Sequence, residues 1–471
     1  MKKTFYALMV MVMLLGMLAA CGATPETVVE TVVVEMEKEV TVKETVVVET
    51  EKEVTVVETV EVEVEKEVVK EVEKEVLKDK SLVIYNSYMT DPAPREADAQ
   101  LVQMYMEKYP EADVVHSSVA HEDFKQAIRA YLTASTPPDV MTWFAGNRAR
   151  FFIDKGLVMD ISDVWESEGF NESYPAGFNA MSSVDGKQYF VPASWYWWAV
   201  YYRKDIFDDL GLEAPETWEE FLAVCETLKE NGIAPITIGT KYRWTAAAWF
   251  DYLNMRVNGP EFHIDLMLGK ESYDDPRVLK VFTDYWAPLI ENGYFVEDPA
   301  AYSWSEAIPF MLEGEAAMYL MGDFLRDSYP DEEEDKLDFF RFPIIDPAVP
   351  VGEDAPTDGF LIAANAQHVD EAKRFIGYLG GLEAQQYFAD ELGRLPTNME
   401  VDTSGFTPMQ QQGLELIQGA DFVAQFYDRD TTPEMADEGM NGFMQFWDNP
   451  EEIEEILAYL ETVRQEVFAE E

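Results

Sequence analysis

Cysteine is nearly missing from this 471-residue chain: Cys21 and Cys225 are the whole supply, so neither a disulfide framework nor a Cys-based zinc site can be built. Histidine is as scarce, with four residues, His116, His121, His263 and His368, which argues against a His-rich metal centre. Positive charge is the third shortage. Lys and Arg total 35 against 91 Asp and Glu, a net charge of −56, and a composition so poor in cations excludes nucleic acid as a partner. The chain also lacks a Gly-x-x-x-x-Gly-Lys phosphate loop, a His-Glu-x-x-His zinc helix and a Gly-x-Ser-x-Gly nucleophile elbow, and those enzyme classes lose their support. The acidic run from Asp331 to Asp335 has neither the spacing nor the turn glycine of a calcium loop and reads as solvated surface. No metal and no cofactor is expected.

What is present is apolar mass. With 47% hydrophobic and 13% aromatic residues the chain can bury two substantial cores. Lys2 and Lys3 precede an apolar run from Phe5 to Leu18, the charged and hydrophobic regions of a secretory signal and too short to span a bilayer comfortably. Residues 21–80 are low in complexity, built from Val, Glu, Thr and Lys, with Glu-Lys-Glu-Val recurring at Glu37, Glu51 and Glu65. This stretch carries no aromatic residue and reads as a spacer. Its periodicity fits a coiled coil, an extended ribbon or a solvated coil equally. Most of the acidic excess falls in the body beyond it.

From Ser81 the texture changes. Leu82–Tyr85, Ala112–His116 and Pro138–Phe144 read as strands, and the segments between them repeat apolar residues at helical spacing, so the pattern is βαβαβ with a parallel sheet. The middle of the chain repeats the alternation: Thr217 and Glu220 have capping-box spacing before a helix, and Pro235–Gly239, Ala316–Met321, Phe339–Ile345 and Phe360–Ala364 read as strands. Further helices are expected over Asp275–Glu291, Trp304–Glu313, Val369–Leu379, Glu383–Glu391 and Pro450–Val467. Ligands of such sheets sit beyond the carboxyl ends of the strands, which directs attention to the residues that follow each one. Cys225, among helical core positions, reads as a small buried hydrophobe.

The densest feature is Trp195-Tyr196-Trp197-Trp198-Ala199-Val200-Tyr201-Tyr202. Strand alternation sends Trp195 and Trp197 to one face and Tyr196 and Trp198 to the other, so large rings must be buried on both sides unless one face meets a cleft. Flat indole faces match the C–H faces of a pyranose while nearby carboxylates and amides take its hydroxyls. Paired carboxylates for glycoside cleavage are uninformative here, because so many acids guarantee a pair at any separation.

Several segments, taken together and in order, resemble the extracellular sugar-binding proteins of ATP-binding cassette importers. They are Pro138-Asp139-Val140 with Gly156–Asp160; Gly186–Pro192 followed by Val200–Phe207; Pro215–Phe221; Phe310–Met318; and Gly393-Arg394-Leu395-Pro396. The resemblance spans nearly all of residues 81–471. It implies an α/β, two-lobed periplasmic-binding-protein-like fold with crossing hinge segments. A first lobe of about 81–190 is joined by a later returning segment, and a second of about 200–390 by the C-terminal helices. It implies a carbohydrate, di- or oligosaccharide, closed between the lobes and delivered to a membrane permease by a monomeric, non-enzymatic carrier.

Leu18-Ala19-Ala20-Cys21 resembles a lipobox, which implies a signal peptide over residues 1–20 and a lipid on Cys21 holding the protein at the extracellular face of the membrane. The implied ligand-binding residues are Tyr88, Glu122, Trp143 and Asn147 in the first lobe and Trp195 and Trp197 at the crossover. Trp244, Trp304, Asp323 and Phe324 come from the second lobe, with Asp358, Gly359 and Arg394 completing the set. Glycerol phosphate is disfavoured, since few basic residues stand near these strand ends. Two other readings stay open: a secreted carbohydrate-active enzyme with a carboxylate pair in the same cleft, and a surface adhesin that uses the spacer.

Overall fold

The β-rich runs at the start of the body become parallel strands because the helices between them each offer one apolar face. In the computed structural model, which describes residues 82–89 and 91–469, Leu82–Ser87 pairs in parallel with both Asp113–Ser118 and Val140–Phe144. The signal peptide, Cys21 and the spacer lie outside the described residues. Helix Pro92–Lys108 buries Leu101, Val102 and Tyr105, and helix His121–Thr133 buries Phe124, Ile128 and Leu132.

The sheet is mixed rather than parallel. Its order is Leu395–Pro396, Val191–Trp195, Thr357–Ile362, Val140–Phe144, Leu82–Ser87, Asp113–Ser118, and Thr357–Ile362 runs antiparallel to both of its neighbours. Helices Val369–Gly380 and Leu382–Leu392 follow that strand and bury Phe375, Ile376 and Phe388 with Val83, Tyr85 and Leu101. The expected limit of the second lobe near residue 390 is thereby corrected. Thr357–Ile362 and Leu395–Pro396 are strands of the first sheet, and the two helices between them pack on its core.

A second sheet, ordered Leu337–Phe340, Trp198–Arg203, Ala316–Gly322, Ala234–Ile236, centres the other lobe. Helix Trp218–Glu230 starts at the expected capping box, with Thr217 and Glu220 exchanging both bonds. Helix Trp244–Asn258 runs through the middle of this lobe, buried at every position from Thr245 to Arg256. Helices Pro408–Gln418, Pro433–Asp448 and Ile453–Phe468 close the same core with Leu416, Phe443, Phe446 and Leu460. The helix expected from Trp304 is shorter, spanning Ile308–Leu312. The chain passes between the sheets at 195–198 and 354–357, and again between Pro396 and Pro408. No helix among the described residues is long and apolar enough to cross a membrane.

Candidate functional site

Both sheets direct equivalent strand ends at one place. Tyr88 follows the first strand, Phe144 ends the third, and Asp358 opens the antiparallel Thr357–Ile362; from the second sheet Phe324 follows Ala316–Gly322 and Trp198 opens its antiparallel neighbour. These residues line a cavity of about 180 Å³. The antiparallel reversals matter, since they bring the start of one strand to the same edge as the end of the next.

One wall is aromatic. Trp198 stacks on Phe426 at 4.8 Å and 23°, and Phe324 meets Trp304 edge-on at 5.2 Å and Tyr196 at 5.5 Å. Trp244 lies 6.0–6.3 Å from Trp198, Trp304, Phe324 and Phe426. The opposite wall carries Tyr88, His121 and Phe144, with ring centroids 5.1–5.5 Å apart. Edge-to-face packing of this kind fixes each ring by its neighbours and leaves flat, rigid faces toward the space between.

Every cationic lining group is paired with a lining carboxylate, and Asp91 is a fourth lining acid beyond those three pairs. Arg429 donates to Asp358 at 2.8 Å while its guanidinium lies 4.1 Å from the Phe144 ring centre; Lys125 donates to Asp428 at 2.9 Å; Arg394 pairs with Asp327. Burial pushes the Asp428 carboxyl up, but Lys125, Arg148 and Arg429 outweigh it and hold it well below the usual carboxylate range. Burial, reinforced by Asp358, pushes the Tyr88 phenol up, and burial does the same to Tyr196. Both stay protonated and able to donate. Basic groups are therefore present at the strand ends, contrary to expectation, yet each already faces a carboxylate, so the arrangement still suits an uncharged ligand better than a phosphate.

Of the residues singled out in the sequence, Tyr88, Trp244, Trp304, Phe324, Asp358, Gly359 and Arg394 line this cavity. The others stand elsewhere. Glu122 is one position from it, bonded to His121 at 3.2 Å and near Lys125 at 3.6 Å. Trp143 is buried behind the wall, stacked on Phe144 at 4.6 Å with its Nε1 donating to the Arg148 carbonyl. Asn147 donates to the Asp430 carbonyl at 2.7 Å and so holds the short helix Tyr427–Asp430 in place.

Trp195 donates to the Pro396 carbonyl at 3.0 Å and packs on Phe178, while Trp197 is buried against Phe339. The expected continuous alternation is broken, since Val191–Trp195 and Trp198–Arg203 are strands of different sheets, and it is Tyr196 and Trp198 that line the cavity. Asp323 is buried to one side, 3.7 Å from Arg394, and burial pushes its carboxyl up to about 7. Sequence reasoning missed Tyr196, Trp198, Phe426, Asp428 and Arg429. Tyr196 and Trp198 were in hand as the opposite parity, whereas the helix Tyr427–Asp430 is four residues long and has no motif to announce it.

Residues 86–386 match the model of the bacterial extracellular solute-binding proteins. An uncharacterised ABC transporter extracellular-binding protein of Pyrococcus horikoshii is 27% identical over 350 residues, covering 73% of this chain and 77% of the relative. Among solved structures, the bacterial solute receptor AcbH, described as having an exclusive preference for β-D-galactopyranose, is 31% identical. It covers 83% of this chain and 100% of its own, with a TM-score of 0.79. A chitin oligosaccharide binding protein, 20% identical, shares the fold with a TM-score of 0.75 over 82% of this chain and 98% of its own.

Proposed function

Because the chain belongs to the bacterial extracellular solute-binding proteins, which capture a solute and do not transform it, we propose that its solute is a neutral carbohydrate, held between the two lobes and passed to an ATP-binding cassette permease. One observation carries this reading. Rigid aromatic faces converge on a small cavity whose cationic groups are each already neutralised by a carboxylate. A pyranose ring laid against Trp244, Trp304 or Phe324 buries its C–H face there, and its hydroxyls meet the Asp358 carboxylate, the Arg429 and Arg394 guanidinium groups and the Tyr88 and Tyr196 phenols. The galactopyranose preference described for AcbH supports the same chemical class.

The ligand touches residues from both lobes, so binding favours their approach and lets the permease distinguish the loaded carrier from the empty one. The Leu18–Cys21 motif supports a lipid on Cys21 that keeps the carrier, a monomer, at the outer face of the membrane.

The test is titration of the purified chain with a panel of neutral mono- and oligosaccharides, followed by tryptophan fluorescence and by calorimetry. At least one sugar is expected to bind in the micromolar range and to change the emission of the cavity indoles. Absence of heat and spectral response across the whole panel would overturn the reading.

A further inference from the structure

Helix Tyr427–Asp430 leaves the second lobe to touch the first, and its charges are unevenly matched. Asp428 has Lys125 and Arg429 has Asp358, but Asp430 forms no ion pair with any described lysine or arginine. Its Oδ2 accepts the Gln425 N–H at 3.0 Å, and its carbonyl accepts from Asn147 of the first lobe at 2.7 Å. A Cβ on Gly146, also of the first lobe, would stand 3.2 Å from its Oδ1. This carboxyl therefore sits against the opposite lobe with no cation to balance it.

Two fully buried acids of the second lobe stand behind it: Asp251 on helix Trp244–Asn258, and Asp354, which ends strand Gly352–Asp354 where the chain crosses between the sheets. Both Asp354 carboxyl oxygens and Asp251 Oδ1 are buried without hydrogen-bond partners, while Asp251 Oδ2 accepts the Tyr427 N–H. Burial and then Asp354 push the Asp251 carboxyl up, with Asp430 and Asp428 adding to it; burial, Glu353 and Asp430 do the same to Asp354. The other charges around the helix are committed elsewhere. Arg148, on helix Asn147–Ile153, faces Asp428, and Arg256, beside Asp354, bonds to Glu353 at 2.7 Å. Asp437, on helix Pro433–Asp448, pairs with Arg243, and His263, 3.4 Å from Asp251 Oδ1, is kept neutral by burial.

We propose that closing the lobes over the solute loads a proton onto Asp430, so that capture takes up one proton from the medium and the solute is held more tightly in mildly acidic than in mildly alkaline surroundings. The coupling rests on the reading of the chain as a carbohydrate carrier whose lobes approach on binding. In the closed arrangement burial pushes the Asp430 carboxyl up to about 7, opposed only by the Gln425 N–H. Once Gly146 and Asn147 draw away, the same carboxyl meets water and titrates near its ordinary value of about 4. By linkage the closed state gains as the pH falls from about 7 toward about 4 and gains nothing further outside that window.

The experiment titrates the full chain with glucose, galactose, maltose and cellobiose by calorimetry in buffers of different ionisation heat, which counts the protons taken up. For the tightest of these sugars, uptake of about one proton or more is expected at about pH 5.5 and almost none at about pH 8.5, with affinity about tenfold or more higher at the acid end. Asp430→Asn, which has the shape of the protonated acid, should lower the uptake by about one proton and flatten the affinity profile. Asp323 is another acid beside the cavity that burial pushes up to about 7, and Asp323→Asn should leave the Asp430 proton in place.

Sugar binding without proton uptake at the acid end, a result that needs no variant, would overturn the coupling and leave the carbohydrate reading standing. So would an uptake that Asp430→Asn leaves whole or that Asp323→Asn alone removes. Failure of all four sugars to bind would remove the carbohydrate reading itself, and the coupling with it.

Discussion

At the scale of single residues, the site separates rings that meet the cavity from rings that only hold the walls. Trp244 is half-buried and lines the cavity, whereas Trp195 is half-buried with its Nε1 tied to the Pro396 carbonyl and its ring against Phe178. Trp244→Ala is therefore expected to weaken sugar binding by about 1–3 kcal/mol, the range for a rigid aromatic at the centre of a binding surface, while Trp195→Ala leaves affinity unchanged and lowers the melting temperature. Calorimetry beside thermal melts of the two variants checks the pair. Loss of affinity in Trp195→Ala alone would reverse the assignment.

The same contrast shows how far the site could be read in advance. Trp244, Trp304, Phe324 and Arg394 are residues that the family resemblance implies, and all four line the cavity. Period-two alternation divided Trp195–Trp198 into two faces but could not say which faced the cavity, because that depends on how two sheets meet across the break at Tyr196 and Trp197. Lys125 and Arg429 escaped notice for a related reason. Both owe their place to partners on other segments, Asp428 and Asp358, and no local spacing records that.

Elements were legible where one face was buried and the other wet. Helix His121–Thr133 buries Phe124, Ile128 and Leu132 while its other positions meet water, and its periodicity is plain. Helix Trp244–Asn258 has no wet face over most of its length, so it lacks the periodicity that would reveal it. The family resemblance implies a segment returning to the first lobe, but local pattern could not place Thr357–Ile362 in the first sheet, since its partners lie more than a hundred residues away in sequence.

That strand shows how packing sets the site. Its register with Val191–Trp195 shifts between Asp358 and Gly359, and a Cβ on Gly359 would stand 2.2 Å from the Val191 carbonyl oxygen. Gly359 thus serves through what it lacks, a side chain, allowing two backbones to approach and Asp358 to reach Arg429. Gly359→Ala should cost about 1–3 kcal/mol in denaturant unfolding and weaken sugar binding at the same time. An alanine variant with wild-type stability would show that the approach is not needed.

For the whole molecule, the question is what holds two separately built cores around one cavity. Tyr427 is fixed in the second core, its N–H bonded to Asp251 at 2.8 Å, and the next residue, Asp428, reaches Lys125 on a helix of the first lobe. Asp428 and Lys125 are both largely buried, with side-chain exposures of 5% and 13%, so removal of Lys125 takes away the largest of three cationic influences on a carboxylate held away from water. Lys125→Met is expected to destabilise the chain by less than the roughly 3–5 kcal/mol of an isolated buried pair, because Arg148 and Arg429 still face Asp428, and adding Asp428→Asn should deepen the loss by leaving Arg148 without its carboxylate.

The pH dependence follows from the direction of the shift. Asp428 is held below the ordinary carboxylate range, so the folded state releases its proton more readily than the unfolded chain does. Its contribution is complete above the unfolded value, about pH 4, and declines as the pH falls through the folded value. Lys125→Met removes the strongest influence holding that carboxyl low, so the variant should fall furthest below wild type above about pH 5, with the two proteins converging in stability toward strong acid. Thermal melts of wild type, Lys125→Met and the double variant from neutral pH to strong acid measure this. If the single variant melts at the wild-type temperature at neutral pH, the tie between Asp428 and the first lobe contributes nothing, and other contacts hold the cavity closed.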